Sequence, residues 1–236
     1  MRALVTGASA GIGRAFAAGL AARGYAVTAV ARGEEGLLAL RRELGPGHAH
    51  LVADLTTPAG LATVAEHLAR DPVNVLVNNA GTAVTGPFAD VALADSLATL
   101  NLNCAALVTL AHAFLRHARR GDALVNISST LAFAPTPTLG VYSGTKAFVT
   151  TFSEALWREN KGRGVHVLGV CPGMTATRSR PDEPGGMVQA PEEVAAAALA
   201  ALAKRRRPTV VSGVRNKVFV AATRLLPRAA VVSMLG

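Results

Sequence analysis

The sequence predicts an α/β fold, a parallel sheet of seven strands wound on both faces by helices. Three observations lead there. Short runs that are apolar throughout alternate with longer amphipathic runs from residue 2 to about residue 211. Strands apolar on both faces belong to parallel sheets covered on both sides. A glycine-rich stretch, "TGASAGIG", joins the first apolar run to the first amphipathic one. The polar punctuation ("TGASAGIG", "ADL", "NNAG", "ISS" and "CPGMTAT") falls where apolar runs end. In a doubly wound sheet, those ends gather in one crevice beyond the carboxyl termini of the strands.

The elements follow in order. "RALVTG" is a short apolar strand stopped by glycine. "GIGRAFAAGLAARG" reads as a helix with Phe16 and Leu20 on one face and Gly24 as its stop. "YAVTAVA" is the second strand, "EEGLLALRREL" the second helix closed by Gly45-Pro46-Gly47, and "HAHLVADL" the third strand. "PAGLATVAEHLAR" is a helix opened by Pro58, where a missing N–H costs nothing. "VNVLVNNAG" is the fourth strand. A helix over 92–118, the strand "DALVNISS", a helix over 143–160, the strand "GVHVLGVCPG", a helix over 191–204 and the strand "PTVVSG" complete the set. Crossovers of this kind are right-handed. No repeat and no long linker divides the chain. The reading is therefore one Rossmann-type domain, with 1–203 as its nucleotide-binding body. Residues 204–236 supply the last strand and a basic, apolar tail of the same domain.

Composition narrows the partners. Half of the 236 residues are hydrophobic, enough for a large core. Lys and Arg number 24 against 15 Asp and Glu, a net charge of +9, which points to an anionic partner. The cations are scattered apart from Arg205-Arg206-Arg207, and aromatics are only 4%, so a stacking platform for nucleic acid is not expected. A small ligand carrying phosphate accounts for the charge instead. Cys104 and Cys171 sit in apolar runs without ligand spacing and read as free thiols in a reducing cytoplasm. The six histidines show no metal-ligand spacing, His166 reads as structural, and no metal is expected. "MRALVTGAS" enters a strand at once, unlike a secretory leader. The uncharged run 97–115 contains Asn101, Asn103 and His112 and reads as a buried helix and not a bilayer span.

The glycine loop names the ligand class. Gly7 permits a tight turn, Gly11 lets a ligand approach the backbone, and Gly13 lets helix and strand pack closely. Ser9 and Ile12 complete the loop. A helix N-terminus then offers free N–H groups and a positive dipole end to a diphosphate. The second strand ends "AVARGEE". An NAD enzyme wants a carboxylate there for the ribose 2′-hydroxyl. Ala31 and then Arg32 stand there instead, and a guanidinium can fork onto a 2′-phosphate. NADP is expected over NAD, with Glu34 and Glu35 the residues that would argue otherwise. Asp54, followed by Leu55, is placed to hydrogen-bond the adenine end.

Six motifs in order, "TGASAGIG", "NNAG" (78–81), a helix asparagine, "NISS" (126–129), "YSGTK" (142–146) and "CPG" (171–173), resemble the short-chain dehydrogenase/reductase family in its compact form, over about residues 2–180. The resemblance implies an oxidoreductase that passes hydride between nicotinamide and a ketone, aldehyde or secondary alcohol. It makes Tyr142 the general acid or base. A free phenol has a pKa of about 10, and Lys146, one helical turn on, is expected to lower it and to hold the nicotinamide ribose. Ser129, 13 residues before Tyr142, would orient the substrate, and Ser128 is set aside on that spacing. Asn103 is favoured over Asn101 as the asparagine whose carbonyl holds a water near the lysine. Asn79, Ala80 and Gly81 would border the cofactor. Pro172, Gly173, Thr175 and Thr177 would meet its carboxamide and diphosphate. Family members pair through the helices that carry Asn103 and Tyr142, so a homodimer or homotetramer is implied.

The Pro/Gly-rich segment from 178 to about 190 corresponds to the family's substrate lid, and Arg178 and Arg180 read as solvated there. The tail departs from the family. Val214, Val218, Ala222 and Leu225 form one apolar stripe among basic residues, with Pro227 as the stop. Two readings stay open for it: packing over the pocket or a partner subunit, and contact with a membrane surface or lipid-like substrate. Trp157 reads as core or subunit contact. The other function class is a regulator that binds NADP on this fold without turning it over.

Overall fold

A computed structural model describes residues 1–176 and 188–233 of the chain. Seven strands form one parallel sheet in the order β3-β2-β1-β4-β5-β6-β7. They are β1 (Arg2–Thr6), β2 (Ala26–Ala31), β3 (Ala49–Val52), β4 (Val75–Asn78), β5 (Ala123–Ile127), β6 (His166–Cys171) and β7 (Thr209–Val211). Every neighbouring pair is parallel, with Val5 opposite both Ala29 and Val77 at the centre. The order reverses between β1 and β4. The carboxyl ends of these two strands therefore diverge into crossovers on opposite faces and leave the crevice.

The apolar strands feed two cores, one on each face. Ala3, Val5, Val125, Leu168 and Val170 point into a core closed by α1 (Gly11–Ala21), α2 (Glu34–Leu44) and α7 (Pro191–Lys204). Leu4, Leu76, Leu124 and Val167 point the other way. That second core is closed by α3 (Pro58–Arg70), α5 (Leu107–His117) and α6 (Gly140–Asn160). Successive strand residues alternate between faces, so both must be apolar, and the lack of polar alternation in the sequence has this cause. Each fully buried leucine contributes about 1.5–3 kcal/mol through the area it removes from water. Trp157 packs against the second core.

The structure divides the helix expected over 92–118. It consists of α4 (Leu93–Leu100), a π-helical segment (Asn101–Ala106) and α5. By length and composition alone, Leu93–His117 could cross a bilayer. Here Leu107, Leu110, Ala111 and Phe114 are buried in the protein. The helix expected from 143 starts at Gly140 and brings Tyr142 into its first turn.

The tail forms α8 (Val214–Leu225) and α9 (Arg228–Ser233), broken at Pro227. Asn216, Val220 and Thr223 face inward on α8. The stripe named from the sequence points outward: Val214, Val218 and Leu225 are 75%, 64% and 86% exposed. The tail is fastened to the loop after β5, where the Arg224 guanidinium lies over the Phe133 ring at 5.3 Å and Arg228 Nη1 donates to Phe133 O at 2.8 Å.

Candidate active site

The glycine loop is built by close approach. Gly7 adopts φ +64, a left-handed conformation that a side chain would strain. A Cβ on Gly13 would collide with the Gly7 carbonyl oxygen, so only glycine lets α1 start this near β1. Asn79 Nδ2 donates to Thr6 O at 2.9 Å and Gly7 O at 3.3 Å, while Thr6 Oγ1 accepts the N–H groups of Asn79 and Ala80, both at 3.0 Å. The turn after β1 and the turn after β4 are thus one hydrogen-bonded unit. The N-cap of α1 is Ala10, with no side-chain acceptor and no acid in the first turn. Its N–H groups keep their donors for an anion, and a diphosphate fits there.

Ala8 N donates to Val30 O at 3.1 Å, so the loop lies along the end of β2. Arg32 stands exposed just beyond that end. Gly36 approaches Ser9 so nearly that a Cβ there would lie 2.9 Å from the Ser9 Cβ. Glu34 leans toward His50 of β3, Oε1 to Nε2 4.0 Å, and Arg14 is paired with Glu43. Asp54 Oδ1 accepts from Thr56 N at 2.9 Å and Thr56 Oγ1 at 2.7 Å. Those bonds hold its carboxyl below the usual range, with Arg32 adding a smaller pull. Leu55 is buried beside it.

The second half of the crevice gathers the residues named for chemistry. Lys146 is 6% exposed, and its Nζ donates to Ile127 O at 2.9 Å. Burial lowers its pKa to about 8. Nζ lies 5.5 Å from the Tyr142 ring centroid. Here the expectation of an acidified tyrosine fails. Burial raises the Tyr142 pKa, and the effect in the other direction comes from a hydrogen bond with Ser129, not from Lys146. The lysine is one turn along with its Nζ donating to Ile127 O of β5, and desolvation of the phenolate dominates at Tyr142.

Of the paired candidates, the structure brings one of each to the crevice. Ser128 Oγ is taken up inside, donating to Lys146 O at 2.7 Å and lying 2.7 Å from Thr150 Oγ1. Ser129 is left to face Tyr142, its Oγ also accepting from Leu131 N at 3.1 Å. Asn101 is exposed and Asn103 is 2% exposed. Asn103 Oδ1 accepts from Thr82 N at 2.9 Å, and its Nδ2 donates to Thr82 O at 2.8 Å and Thr145 Oγ1 at 3.0 Å. Its amide therefore clamps the loop after β4 to α6. Gly81 makes room, since a Cβ would meet Asn103 Oδ1 at 3.0 Å and Lys146 Nζ at 3.6 Å.

After β6, Thr130 N donates to Pro172 O at 2.9 Å, and Thr175 Oγ1 donates to Gly173 O at 3.1 Å. Gly173 has its reason in the tail: a Cβ there would collide with the Asn216 amide of α8. Thr177, Arg178, Arg180 and most of the segment read as a lid lie outside the described residues. Cys171 is buried with its thiol pushed up to about 11, and Cys104 is half-buried; both are free.

Sequence reasoning missed Thr6, Thr82 and Thr145, the hydroxyl and backbone partners of the glycine loop and of Asn103, and Gln189 and Asn216 behind the β6 loop. Thr6 and Thr145 lie inside the quoted motifs and could have been found there. The other three had no local signal, because their partners are distant in the chain.

The family model for short chain dehydrogenases matches residues 1–184. Serine 3-dehydrogenase of Agrobacterium fabrum is 33% identical over 226 residues, covering 93% of this chain and 87% of that protein. A short-chain dehydrogenase from Sphingobium yanoikuyae, solved in complex with NADPH, superposes with a TM-score of 0.81 at 32% identity, covering 94% of this chain and 93% of the other. The inactive hydroxysteroid dehydrogenase-like protein 1 of Homo sapiens is 32% identical over 184 residues, 74% of this chain and 56% of that protein.

Proposed function

Since this chain belongs to the short-chain dehydrogenase family, we propose that it is an NADP-dependent reductase and dehydrogenase of ketones, aldehydes or secondary alcohols, with Tyr142 as its proton donor and acceptor. One observation carries this reading. The Tyr142 phenol meets the Ser129 hydroxyl with the buried Lys146 ammonium one turn away, at the strand ends that also hold the uncapped α1 N-terminus.

The glycine loop, with Gly7, Ser9, Gly11, Ile12 and Gly13, would hold the diphosphate of NADPH. Arg32 would hold the 2′-phosphate, Asp54 and Leu55 the adenine side, and Asn79, Ala80, Gly81, Lys146, Pro172, Gly173, Thr175 and Thr177 the nicotinamide half. Bound there, the cofactor would supply or accept the hydride. Tyr142 does the accompanying proton transfer. Its raised pKa keeps the phenol protonated at neutral pH, which suits a donor to a carbonyl oxygen. Ser129 holds the same oxygen by a second hydrogen bond and builds the developing charge into a fixed dipole. Lys146, cationic below about pH 8 and beside Gly81, would hold the nicotinamide ribose. Asn103 keeps the loop carrying Gly81 against α6 and so fixes the space beside Lys146.

Support for NADP over NAD comes from Arg32, exposed at the end of β2 where an NAD site would want a carboxylate. Support for a homodimer or homotetramer comes from Leu93, Leu97 and Leu100 on α4 and Phe148 on α6, all exposed on helices that pack together. For the tail, the outward stripe on α8 belongs to a stretch with no acid after Glu193. That favours contact with an anionic bilayer surface, which co-sedimentation with phosphatidylserine vesicles tests.

The test of the main reading is NADPH consumption, with NADH in parallel, across ketones, aldehydes, quinones and acyl-carrier substrates. Turnover with NADPH that Tyr142→Phe lowers by about a thousandfold or more, without loss of NADPH binding, is the expected outcome. The inactive relative favours a second reading, an NADP-binding regulator. Tight NADPH binding with no turnover on any substrate, and no effect of Tyr142→Phe in the cell, would select it.

A further inference from the structure

The loop after β6 is fastened from behind by side chains that the proposed chemistry does not use. Gln189 pairs with Thr175 in a short parallel bridge. Its N–H donates to Met174 O at 2.9 Å, and its carbonyl accepts from Ala176 N at 3.0 Å. Its side chain reaches the junction of β7 and α8, where Oε1 accepts from Ser212 Oγ at 2.7 Å and Asn216 Nδ2 at 3.0 Å. Asn216 Nδ2 also donates to Ser212 O at 2.9 Å. Ser212 is 0% exposed and Asn216 7% exposed, so these bonds are shielded from water.

Two glycines complete the fastening. Gly213, at φ +78, passes so near Gln189 that a Cβ would lie 2.7 Å from Nε2, and Gly173 leaves its side-chain space to the Asn216 amide. Three stretches distant in the chain, 173–176, 189 and 212–216, therefore meet on one glutamine and one asparagine. Among the described residues, the backbone from Met174 to Ala176 is tied to the rest of the protein through Gln189.

We infer that Gln189 and Asn216 are positioning residues that set the stance of Pro172–Ala176 toward the nicotinamide half of NADPH, so that α8 controls the fit of the reactive end. The inference rests on the reading above that this loop meets the carboxamide. Its physical content is selectivity within one ligand. On that reading the adenine end lies at β1, β2 and β3, across the sheet from β7. Loosening the loop after β6 weakens only the half of the ligand that the loop touches.

The experiment is calorimetric binding of NADPH and of 2′,5′-ADP, which carries the adenine half alone, to the wild type and to Gln189→Leu, Gln189→Glu and Asn216→Ala. Loss of one shielded hydrogen bond corresponds to about a tenfold loss of affinity. Gln189→Leu and Asn216→Ala are expected to weaken NADPH by about that factor and to leave 2′,5′-ADP within about twofold. Gln189→Glu, which keeps an oxygen acceptor for Ser212 and Asn216, is expected to restore most of the NADPH affinity. Unchanged NADPH binding in both disruptive variants overturns the inference. So does an equal loss for both ligands, which would mark a fold-wide role. Should Gln189→Leu fail to fold, Ser212→Ala removes one donor to Gln189 and is read by the same ratio. A wild type that binds neither ligand sinks the proposed function and this inference together, whereas a wild type that binds both leaves the inference to stand or fall on the variants.

Discussion

At the residue scale, charge placement sets three expectations. Arg32 stands exposed just beyond the end of β2 and lowers the Asp54 pKa a little, while Arg14 is held by Glu43. Arg32→Ser is expected to weaken NADPH by about tenfold to a hundredfold and to leave NADH nearly unchanged, read from kcat/KM for the two cofactors. Lys146 predicts a falling limb: activity in the reductive direction declines above about pH 8 as the buried ammonium is lost. A rate that stays flat to pH 10 would remove the lysine from the proton chemistry. His166 concerns stability. It is 5% exposed at the start of β6, with Nε2 unpaired, and burial lowers its pKa to about 4. The unfolded chain binds that proton at about pH 6.5. Stability from this group is therefore complete above pH 6.5 and is lost as pH falls toward 4, by about 1–3 kcal/mol. His67, half-buried with its Nε2 shielded and unpaired and its pKa lowered by burial, acts in the same sense. Urea melts at pH 7 and pH 4.5 should show the loss, and His166→Leu should reduce it.

At the element scale, the site depends on how near helices come to strands. α1 reaches β1 because Gly13 has no Cβ to strike the Gly7 carbonyl. Gly13→Ala must push the helix off the strand, and overpacking of this kind costs about 1–3 kcal/mol. Gly140 at the start of α6 has nothing within 4 Å of a built Cβ and no positive φ. Gly140→Ala is expected to be neutral or to stabilise by a few tenths of a kcal/mol. Paired denaturation midpoints test the contrast, and equal effects would contradict the account of the loop. The π-helical turn at Asn101–Ala106 is the other element with a local cause of interest. It brings Asn103 inward to the Thr82 backbone and Thr145 while Asn101 stays in solvent. Thr145→Val removes one of those partners and should lower turnover more than stability.

At the scale of the whole molecule, the two cores share one sheet, and side chains from the same strand serve both. Leu124 of β5 is fully buried in the second core, next to strand residues that serve the first. Leu124→Ala is expected to cost about 2–5 kcal/mol in a single cooperative transition. The exposed leucines of α4 and Phe148 of α6 carry the assembly expectation. Leu97→Glu should convert an oligomer to a monomer in light scattering at micromolar concentration, since a carboxylate buried in an apolar interface without a partner is strongly unfavourable. An unchanged mass would place the interface elsewhere.

The sequence by itself determined what is periodic or contiguous. Seven apolar runs became seven parallel strands, and Pro58 to Arg70 became the third helix over the same residues as quoted, because Thr57 and Pro58 make its start a local event. "TGASAGIG" was legible for the same reason, since it lies within one turn, whereas Ser129, Tyr142 and Lys146 were read from the family resemblance. Only the tertiary structure decided what depends on partners brought from afar. The choice of Asn103 over Asn101 turned on Thr82, 21 residues away. The direction of the Tyr142 pKa turned on burial, with the Ser129 hydroxyl acting against it. The need for glycine at 173 came from Asn216 on a helix beyond β7. Periodicity reports which face of an element is apolar; it carries no information about which distant polar group will meet it, and in this crevice those meetings set the chemistry.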